Sequence, residues 1–407
     1  MRLTLHERLA DLATLGATPD GIDRALFTLP ERTARERFVT WARLAGLHVE
    51  QDFAGNVFAR LDGRESGPPV QTGSHLDTVR DGGAYDGAYG VVAGLEVLGR
   101  IAARGARPRR ALEAVAWAGE EGSRFPLGCL GSSLYAGLNA FDDVGPLVDD
   151  DGVTFFDALN GPTGLLPGVP VRDGFGFARP AAYVELHIEQ GPILERAGVR
   201  LGAVTAIAGQ RRFAVTVDGE AGHAGTVPMR VRADALCAAS ELVLAIEAAA
   251  RELDDTVATV GWLKVDPNQT NIVPGRVSFR VDARSVDDAR IVAVEHALRS
   301  AAERAATARG VRVEVAVIEH RAAVPMDTAL RALVRERCVA LDPTTLDVPS
   351  GAGHDAMCIA TIAPTAMIFV PSVGGRSHVG SERTEPADLE LGVDALESAL
   401  LAAAGRY

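Results

Sequence analysis

Four short segments of this 407-residue chain carry histidine and carboxylate side chains in arrangements that could hold metal ions. The first is Gly73-Ser74-His75-Leu76-Asp77-Thr78-Val79, continued by Gly82-Gly83-Ala84-Tyr85-Asp86-Gly87. His75 ends an apolar stretch, and α/β proteins present functional groups beyond strand ends. Asp77 could accept a hydrogen bond from the far ring nitrogen of His75 and so fix its tautomer. Asp86 lies among glycines, which permit tight turns, and its two oxygens could bridge two cations. Asp81 reads as a solvated turn residue.

The second segment is Glu120-Glu121-Gly122-Ser123-Arg124-Phe125. Adjacent carboxylates repel unless cations neutralise them. One could ligate metal while the other acts as a general base beside an activated water. Taken alone, the pair is equally an exposed turn. The third is Glu185-Leu186-His187-Ile188-Glu189-Gln190-Gly191-Pro192. Strand alternation puts Glu185, His187 and Glu189 on one face, which must line a site or meet solvent. His187 is the candidate ligand, and Gln190 could hydrogen-bond a substrate. The fourth is Gly374-Gly375-Arg376-Ser377-His378-Val379-Gly380-Ser381-Glu382. A lone histidine such as His378 is more often structural. The four clusters together, each just after an apolar run, make a shared site the better reading. Nitrogen and oxygen donors without cysteine suit Zn²⁺, Mn²⁺, Co²⁺ or Ni²⁺. Two ions sharing one carboxylate would lie roughly 3.5–4 Å apart and acidify a water between them.

The elements that must position these groups follow from hydrophobic periodicity. Leu5, Leu9, Leu12 and Leu15 recur at helical spacing, and a second amphipathic segment runs from Arg35 to Leu44. Strands are expected at 57–61, 70–75 and 112–117, with a small-residue helix at 91–104. Residues 139–180 are rich in Gly, Pro and Asp and read as a surface insertion with one helical turn near 155–159. A strand at 182–187 delivers His187. The pattern then changes to strand 213–217, helix 232–252, strands 256–264 and 277–283, helix 286–309 and strand 311–318. That β-α-β-β-α-β order describes a two-layer module with an antiparallel sheet. Beyond Pro325, α/β texture returns and ends in a helix at 389–404. The expected fold is α/β: a catalytic domain with a central mixed sheet flanked by helices (1–210 and 325–407). Into it is inserted an α+β domain (211–324) of four antiparallel strands and two helices.

Composition sets the class. Hydrophobic residues make up 47% and charged residues 23%, ordinary for a globular chain long enough for two domains. The net charge of -13 argues against a nucleic-acid binder, which would show a basic stripe. It leaves room for an anionic substrate held by one arginine. Lys264 is the sole lysine, a composition bias rather than a functional signal. Cys129, Cys237, Cys338 and Cys358 lack paired spacing, so neither a disulfide framework nor a zinc–cysteine site is expected. The N-terminus shows no apolar signal core, and no apolar run is long enough to span a bilayer. The expectation is a cytoplasmic protein with no membrane partner.

Gly73-Ser-His-Leu-Asp-Thr-Val, Tyr85-Asp-Gly, Glu120-Glu-Gly-Ser-Arg-Phe, Glu185-Leu-His-Ile-Glu-Gln-Gly-Pro, His223-Ala-Gly-Thr and Ser350-Gly-Ala-Gly-His-Asp-Ala occur in this order across nearly the whole chain. Together they resemble the amidase branch of the M20 metallopeptidase-like family. That branch contains N-carbamoyl-L-amino-acid hydrolases, β-ureidopropionases, allantoate amidohydrolases and ureidoglycolate amidohydrolases. The resemblance implies two divalent ions per subunit, Zn or Mn with Co or Ni as alternatives. His75 and His187 would hold one ion, Glu121 and His378 the other, and Asp86 would bridge them. Glu120 would take a proton from the attacking water and pass it to the leaving nitrogen. A cis peptide is expected at Asp86-Gly87.

The inserted domain would be a lid and a homodimer contact. His223 resembles the histidine that reaches the partner subunit's site and stabilises the oxyanion; its plain alternative is a loop histidine capping a turn. Asn271 and Arg284 resemble the clamp for the substrate carboxylate, a task that suits the planar arginine fork. Gln190 and Gly353 resemble further substrate contacts. Arg211 is either an anion-binding group or a solvated arginine. The family often has Ser-His-Asn-Pro at its last metal histidine, whereas this chain has Ser377-His378-Val379-Gly380, which alters the pocket there. The implied reaction is hydrolysis of a linear ureido C–N bond in a small carboxylate-bearing substrate. An N-carbamoyl-L-amino acid comes first and allantoate or ureidoglycolate second. A related peptidase or N-acyl-amino-acid deacylase is the next alternative, although His187 argues against it. A metal-stabilised binding protein without turnover is the last, and Glu120 beside a full ligand set argues against that.

Overall fold

The computed structural model describes residues 3–172 and 179–406. The chain divides into two compact units, residues 1–205 with 326–407, and residues 206–325. Its strands are β1 (His48–Gln51), β2 (Val57–Leu61), β3 (Val70–His75), β4 (Leu112–Trp117), β5 (Ala182–Ile188), β6 (Gly202–Ile207), β7 (Gly209–Asp218) and β8 (Gly222–His223). They continue with β9 (Thr256–Asp266), β10 (Ile272–Val273), β11 (Arg276–Ser285), β12 (Arg312–Arg321), β13 (Val324–Pro325), β14 (Leu346–Ser350) and β15 (Thr365–Val370).

The larger sheet runs β1-β2-β4-β3-β5-β15-β6-β13, with β14 paired to β6. It is mixed, as expected. β3 is parallel to β4 and to β5, and β5 is parallel to β15. β2 is antiparallel to β4, and β6 to β15. β3, β4, β5 and β15 are buried along their whole length. Helices cover both faces of such strands, which is why β15 reads as a near-continuous apolar run, whereas β3, β4 and β5 also bury Gln71, Ser74, Glu113 and Glu185. The helix Ala88–Ala103 lies directly on β3 and β5. A Cβ at Gly90 would sit 2.4 Å from Leu186 O, so only glycine allows that approach. The helix Pro386–Arg406 packs on the same core.

The segment expected to be a loose surface insertion is better organised than its composition suggests. Short helices form at Phe141–Val144 and Phe155–Asn160. Phe155 is fully buried against Phe27, Phe125 and Phe141, in a satellite core with Leu26, Leu130 and Leu159. Widely spaced aromatics, invisible to a periodicity argument, hold this region. Residues 173–178 of the same stretch lie outside the described residues.

The second unit contains a four-stranded antiparallel sheet in the order β12-β7-β11-β9. The helices Ala235–Arg251 and Asp288–Arg309 share one apolar core with it through Phe213, Phe279, Leu242 and Leu298. Each helix begins at an aspartate, Asp234 or Asp287, whose carboxylate accepts first-turn N–H groups. Among the described residues no helix is long and apolar enough to cross a membrane.

Candidate metal centre and active site

His75 ends β3 opposite Trp117, the last residue of β4. His187 lies near the end of β5, opposite Phe369 of β15. Because these strands are parallel, their carboxyl ends open at one edge of the sheet, and the loops beyond them carry the remaining groups.

The histidines are set by their backbone surroundings. His75 Nδ1 lies 2.9 Å from the carbonyl oxygen of Asp77, and His187 Nδ1 lies 2.8 Å from that of Ile188. A carbonyl only accepts, so each Nδ1 carries a proton and each Nε2 is the ring atom turned toward the centre. Both Nε2 atoms face Asp86 Oδ1, at 3.6 Å from His75 and 3.2 Å from His187. The other oxygen, Asp86 Oδ2, lies 3.2 Å from His378 Nε2, which is itself 3.5 Å from Glu121 Oε2. Two of three donor trios among the described residues are His75–Asp86–His187 and Asp86–Glu121–His378, each with its donor atoms within 4.8 Å of one another; the third, Glu185–His187–His354, lacks Asp86. Asp86 belongs to both of the first two. Imidazole nitrogens around a shared, buried carboxylate are compatible with two divalent cations, and the Gly87 N–H also faces His187 Nε2, at 3.2 Å.

Electrostatics match this arrangement. Burial opposes ionisation of Asp86, yet hydrogen bonding from His187, His378 and His75 holds it well below the usual carboxylate range. Burial and the nearby Asp86 push Glu121 up to about 8. The Asp86 contact raises His378 to about 9. Burial also raises Glu120.

Asp77 does something other than expected. Its carboxylate is 3.6 Å from His75 Nδ1, too far for a good hydrogen bond. The backbone carbonyl holds the ring instead, and the carboxylate is turned toward the second cluster. Oδ1 accepts the N–H of Glu120 and Oδ2 that of Glu121, both at 3.2 Å. Glu120 is further held by the Cys129 thiol, which donates to its Oε1 at 3.4 Å, leaving Oε2 3.8 Å from His75 Nε2.

The Asp86-Gly87 peptide is trans, contrary to expectation; among the described residues the cis bond is Asp266-Pro267. The turn is made instead at Gly87, with φ 64° and ψ -52°, where the Ala88 N–H donates to Asp86 O at 2.6 Å. That is a γ-turn, open to glycine because of its positive φ.

Glu185, His187 and Glu189 are all buried; Glu185 and His187 lie together as expected, with ligand atoms of both and of His354 within 4.8 Å of one another, but Glu189 does not join them. Glu185 lies deeper and accepts from Ser74 Oγ, Tyr183 OH and Ala356 N. Glu189 falls just past the strand end and accepts the N–H groups of Ile193 and Leu194. It caps a helix. Gln190, at φ 58°, turns back into the centre, and its Nε2 donates to Asp86 Oδ2 at 2.8 Å. Gly353 is exposed, and the nearest atoms to a Cβ there would be Met357 Sδ at 3.7 Å and Glu120 Oε1 at 3.9 Å. Asp81 accepts from Thr18 Oγ1 at 2.8 Å and so anchors the N-terminal loop. In the departing Val379-Gly380 pair, Gly380 is closely packed: a Cβ there would sit 2.1 Å from Asp20 O in that loop, whereas Val379 is exposed.

Two contributors carried no assignment. His354 packs edge-on against His187 at 4.6 Å and bonds Ser350 Oγ at 2.8 Å; burial and the neighbouring His187 keep it neutral. Glu382 contacts the Asp86 loop and Ser377. The Gly-His-Asp run flagged the first, and only its position after His378 pointed to the second.

In the second unit, His223 and Asn271 sit side by side on the β8–β10 ribbon, where His223 pairs with Ile272 and Ala224 N donates to Asn271 O. Both are exposed. His223 Nδ1 accepts the Gly225 N–H at 3.1 Å, which caps the turn and leaves Nε2–H free to donate. Arg284 is at the other end of the β7–β11 pair, opposite Gln210, with its guanidinium on Asp282. Arg211 is engaged with Glu295.

Sequence comparison decides the family. The profile of "Peptidase family M20/M25/M40" matches residues 72–402. The chain belongs to this family. Within it, the chain is 38% identical over 392 residues to the N-carbamoyl-L-amino-acid amidohydrolase of Paenarthrobacter aurescens, covering 96% of this chain and 95% of that protein. It is 39% identical over 392 residues to the allantoate amidohydrolase of Bacillus subtilis, covering 96% and 94%. An amidase of the hydantoinase/carbamoylase family from Burkholderia multivorans has the same fold, with a TM-score of 0.92 and 39% identity over 98% of this chain and 97% of that one. Both the mixed sheet and the inserted antiparallel sheet are thus family features.

Proposed function

We propose that this M20-family chain is a two-cation amidohydrolase that cleaves a linear ureido C–N bond in a small carboxylate-bearing substrate. An N-carbamoyl-L-amino acid is the first substrate class and allantoate the second. The observation that carries this reading is the sharing of Asp86 by two donor trios at one strand-end edge. The amidohydrolase relatives support the bond type. Bound divalent ions would acidify a water and polarise the scissile carbonyl.

The chain's own residues do the rest. Glu120 accepts the proton of the attacking water and returns it to the leaving nitrogen; burial raises its affinity for a proton, which makes it a stronger acceptor. Asp77 and Cys129 fix its position. His223 offers Nε2–H to the developing oxyanion, and Asn271 and Arg284 hold the substrate carboxylate. With one water, an N-carbamoyl amino acid yields the amino acid, ammonia and carbon dioxide.

His223 and Asn271 lie at one end of the β7–β11 pair and Arg284 at the other. A second copy supplying the missing end is therefore part of the proposal, as a homodimer through the inserted domain. Mixing inactive His223→Ala with inactive Glu120→Ala protein should restore activity in hybrids. No recovery in confirmed hybrids would reject the shared site.

The substrate test is ammonia release from N-carbamoyl-L-amino acids, ureidopropionate, allantoate and ureidoglycolate, with dipeptides and acetyl-amino acids as contrasts. Activity should vanish on chelation and return with Mn²⁺ or Zn²⁺. Absence of ammonia from every ureido substrate would sink the proposal.

A further inference from the structure

Glu382 is a buried carboxylate outside both donor trios, with three hydrogen-bonding neighbours. Its Oε1 accepts the N–H of Tyr85 at 2.8 Å and of Asp86 at 3.0 Å. Its Oε2 lies 2.7 Å from Ser377 Oγ, and Ser377 Oγ lies 3.0 Å from Asp86 Oδ2. The carboxylate thus joins the loop that carries Asp86 to the loop that carries His378. Gly83 is shaped to it: a Cβ there would fall 2.1 Å from the Glu382 carboxyl carbon. His378 needs such support. It is half exposed, has a positive φ of 59°, and its ring meets only Asp86 and Glu121 in ion-pair contacts. His75 and His187, by contrast, are buried and tied to backbone carbonyls.

We infer that Glu382 is a positioning residue that holds Asp86 and His378 in register, so that the ion on the His378 side depends on it while the ion between His75 and His187 does not. The inference rests on the two-cation reading. A residue that only packed the loops would, on removal, weaken both ions alike or neither. One that sets the spacing of Asp86 and His378 weakens one. Outer contacts of this kind are worth about 10–100-fold in metal affinity.

The test is Mn²⁺ or Zn²⁺ binding to the metal-free full-length protein, read as ions per chain across a chelator-buffered series, with far-UV circular dichroism as the fold control. The parent should bind two ions. Glu382→Ala should bind one with parental affinity and the second at least about tenfold more weakly. Glu382→Gln keeps a carbonyl oxygen for the Tyr85 and Asp86 N–H groups and an amide to donate to Ser377, so it should recover most of the loss. Ser377→Ala, which cuts only the link to the His378 loop, should weaken the second ion alone. If Glu382→Ala does not fold, the Gln and Ser377→Ala variants carry the test. Parental binding of both ions by Ser377→Ala and by Glu382→Ala, or equal weakening of both ions, overturns the inference. A parent that binds no ion overturns the two-cation reading instead.

Discussion

The carboxylate of Asp77 is hydrogen-bonded to the backbone of Glu120, with Oδ1 accepting the N–H at 3.2 Å. The same carboxylate accepts the Glu121 N–H through Oδ2. One residue, placed two positions after the first histidine, therefore fixes both the proposed base and a proposed ligand in the loop beyond the neighbouring strand. Asp77→Ala should lower kcat by about 10–100-fold with a smaller change in KM. Steady-state kinetics on the preferred ureido substrate checks this. An unchanged kcat would reduce Asp77 to packing.

Glu120 and Glu121 are neighbours to which the proposal gives separate tasks. Glu120→Gln should keep two ions per chain and lose about 10²–10⁴ in kcat. Glu121→Gln should lose the His378-side ion first. Metal content measured beside kcat distinguishes them, and a fully active Glu120→Gln protein would remove the base from the mechanism.

Metal uptake should release protons. In the metal-free protein Glu121 is raised to about 8 and His378 to about 9, so both hold a proton at pH 7. A cation needs their deprotonated forms. Its affinity should therefore rise with pH through 7 to 9, and titration calorimetry in buffers of different ionisation enthalpy should show protons leaving. A pH-independent affinity across that window contradicts this.

Phe155 anchors the aromatic cluster behind the Glu120 loop. Phe155→Ala should destabilise the fold by about 3–5 kcal/mol, read by denaturant unfolding. A loss below about 1 kcal/mol, typical of an exposed loop position, would mean that the cluster does not support the insertion.

The strands that carry the site were legible because β4, β5 and β15 are buried and mostly apolar, and because β3, though it buries Gln71, Thr72 and Ser74, leads from Val70 straight to His75. β1 was not, because His48-Val49-Glu50-Gln51 is a short edge strand with alternate residues exposed. The clustering of His75, Asp86, Glu121, His187 and His378 followed from residue type and strand-end position. Their division into two trios needed the family resemblance, and so did the roles of His223, Asn271 and Arg284. The period-2 rule misplaced Glu189 because the strand stops at Ile188 and the next residue turns to cap a helix. The orientation of Asp77 and the span of Glu382 depend on contacts between distant loops, which no local pattern encodes.

The most direct test of the central claim is the anomalous diffraction signal of the Mn²⁺- or Zn²⁺-loaded protein. Two peaks flanking the Asp86 carboxylate are predicted, roughly 3.5–4 Å apart, one beside His75 and His187 and the other beside Glu121 and His378. A single peak at full loading, or two peaks with Asp86 bound to only one, would contradict the account.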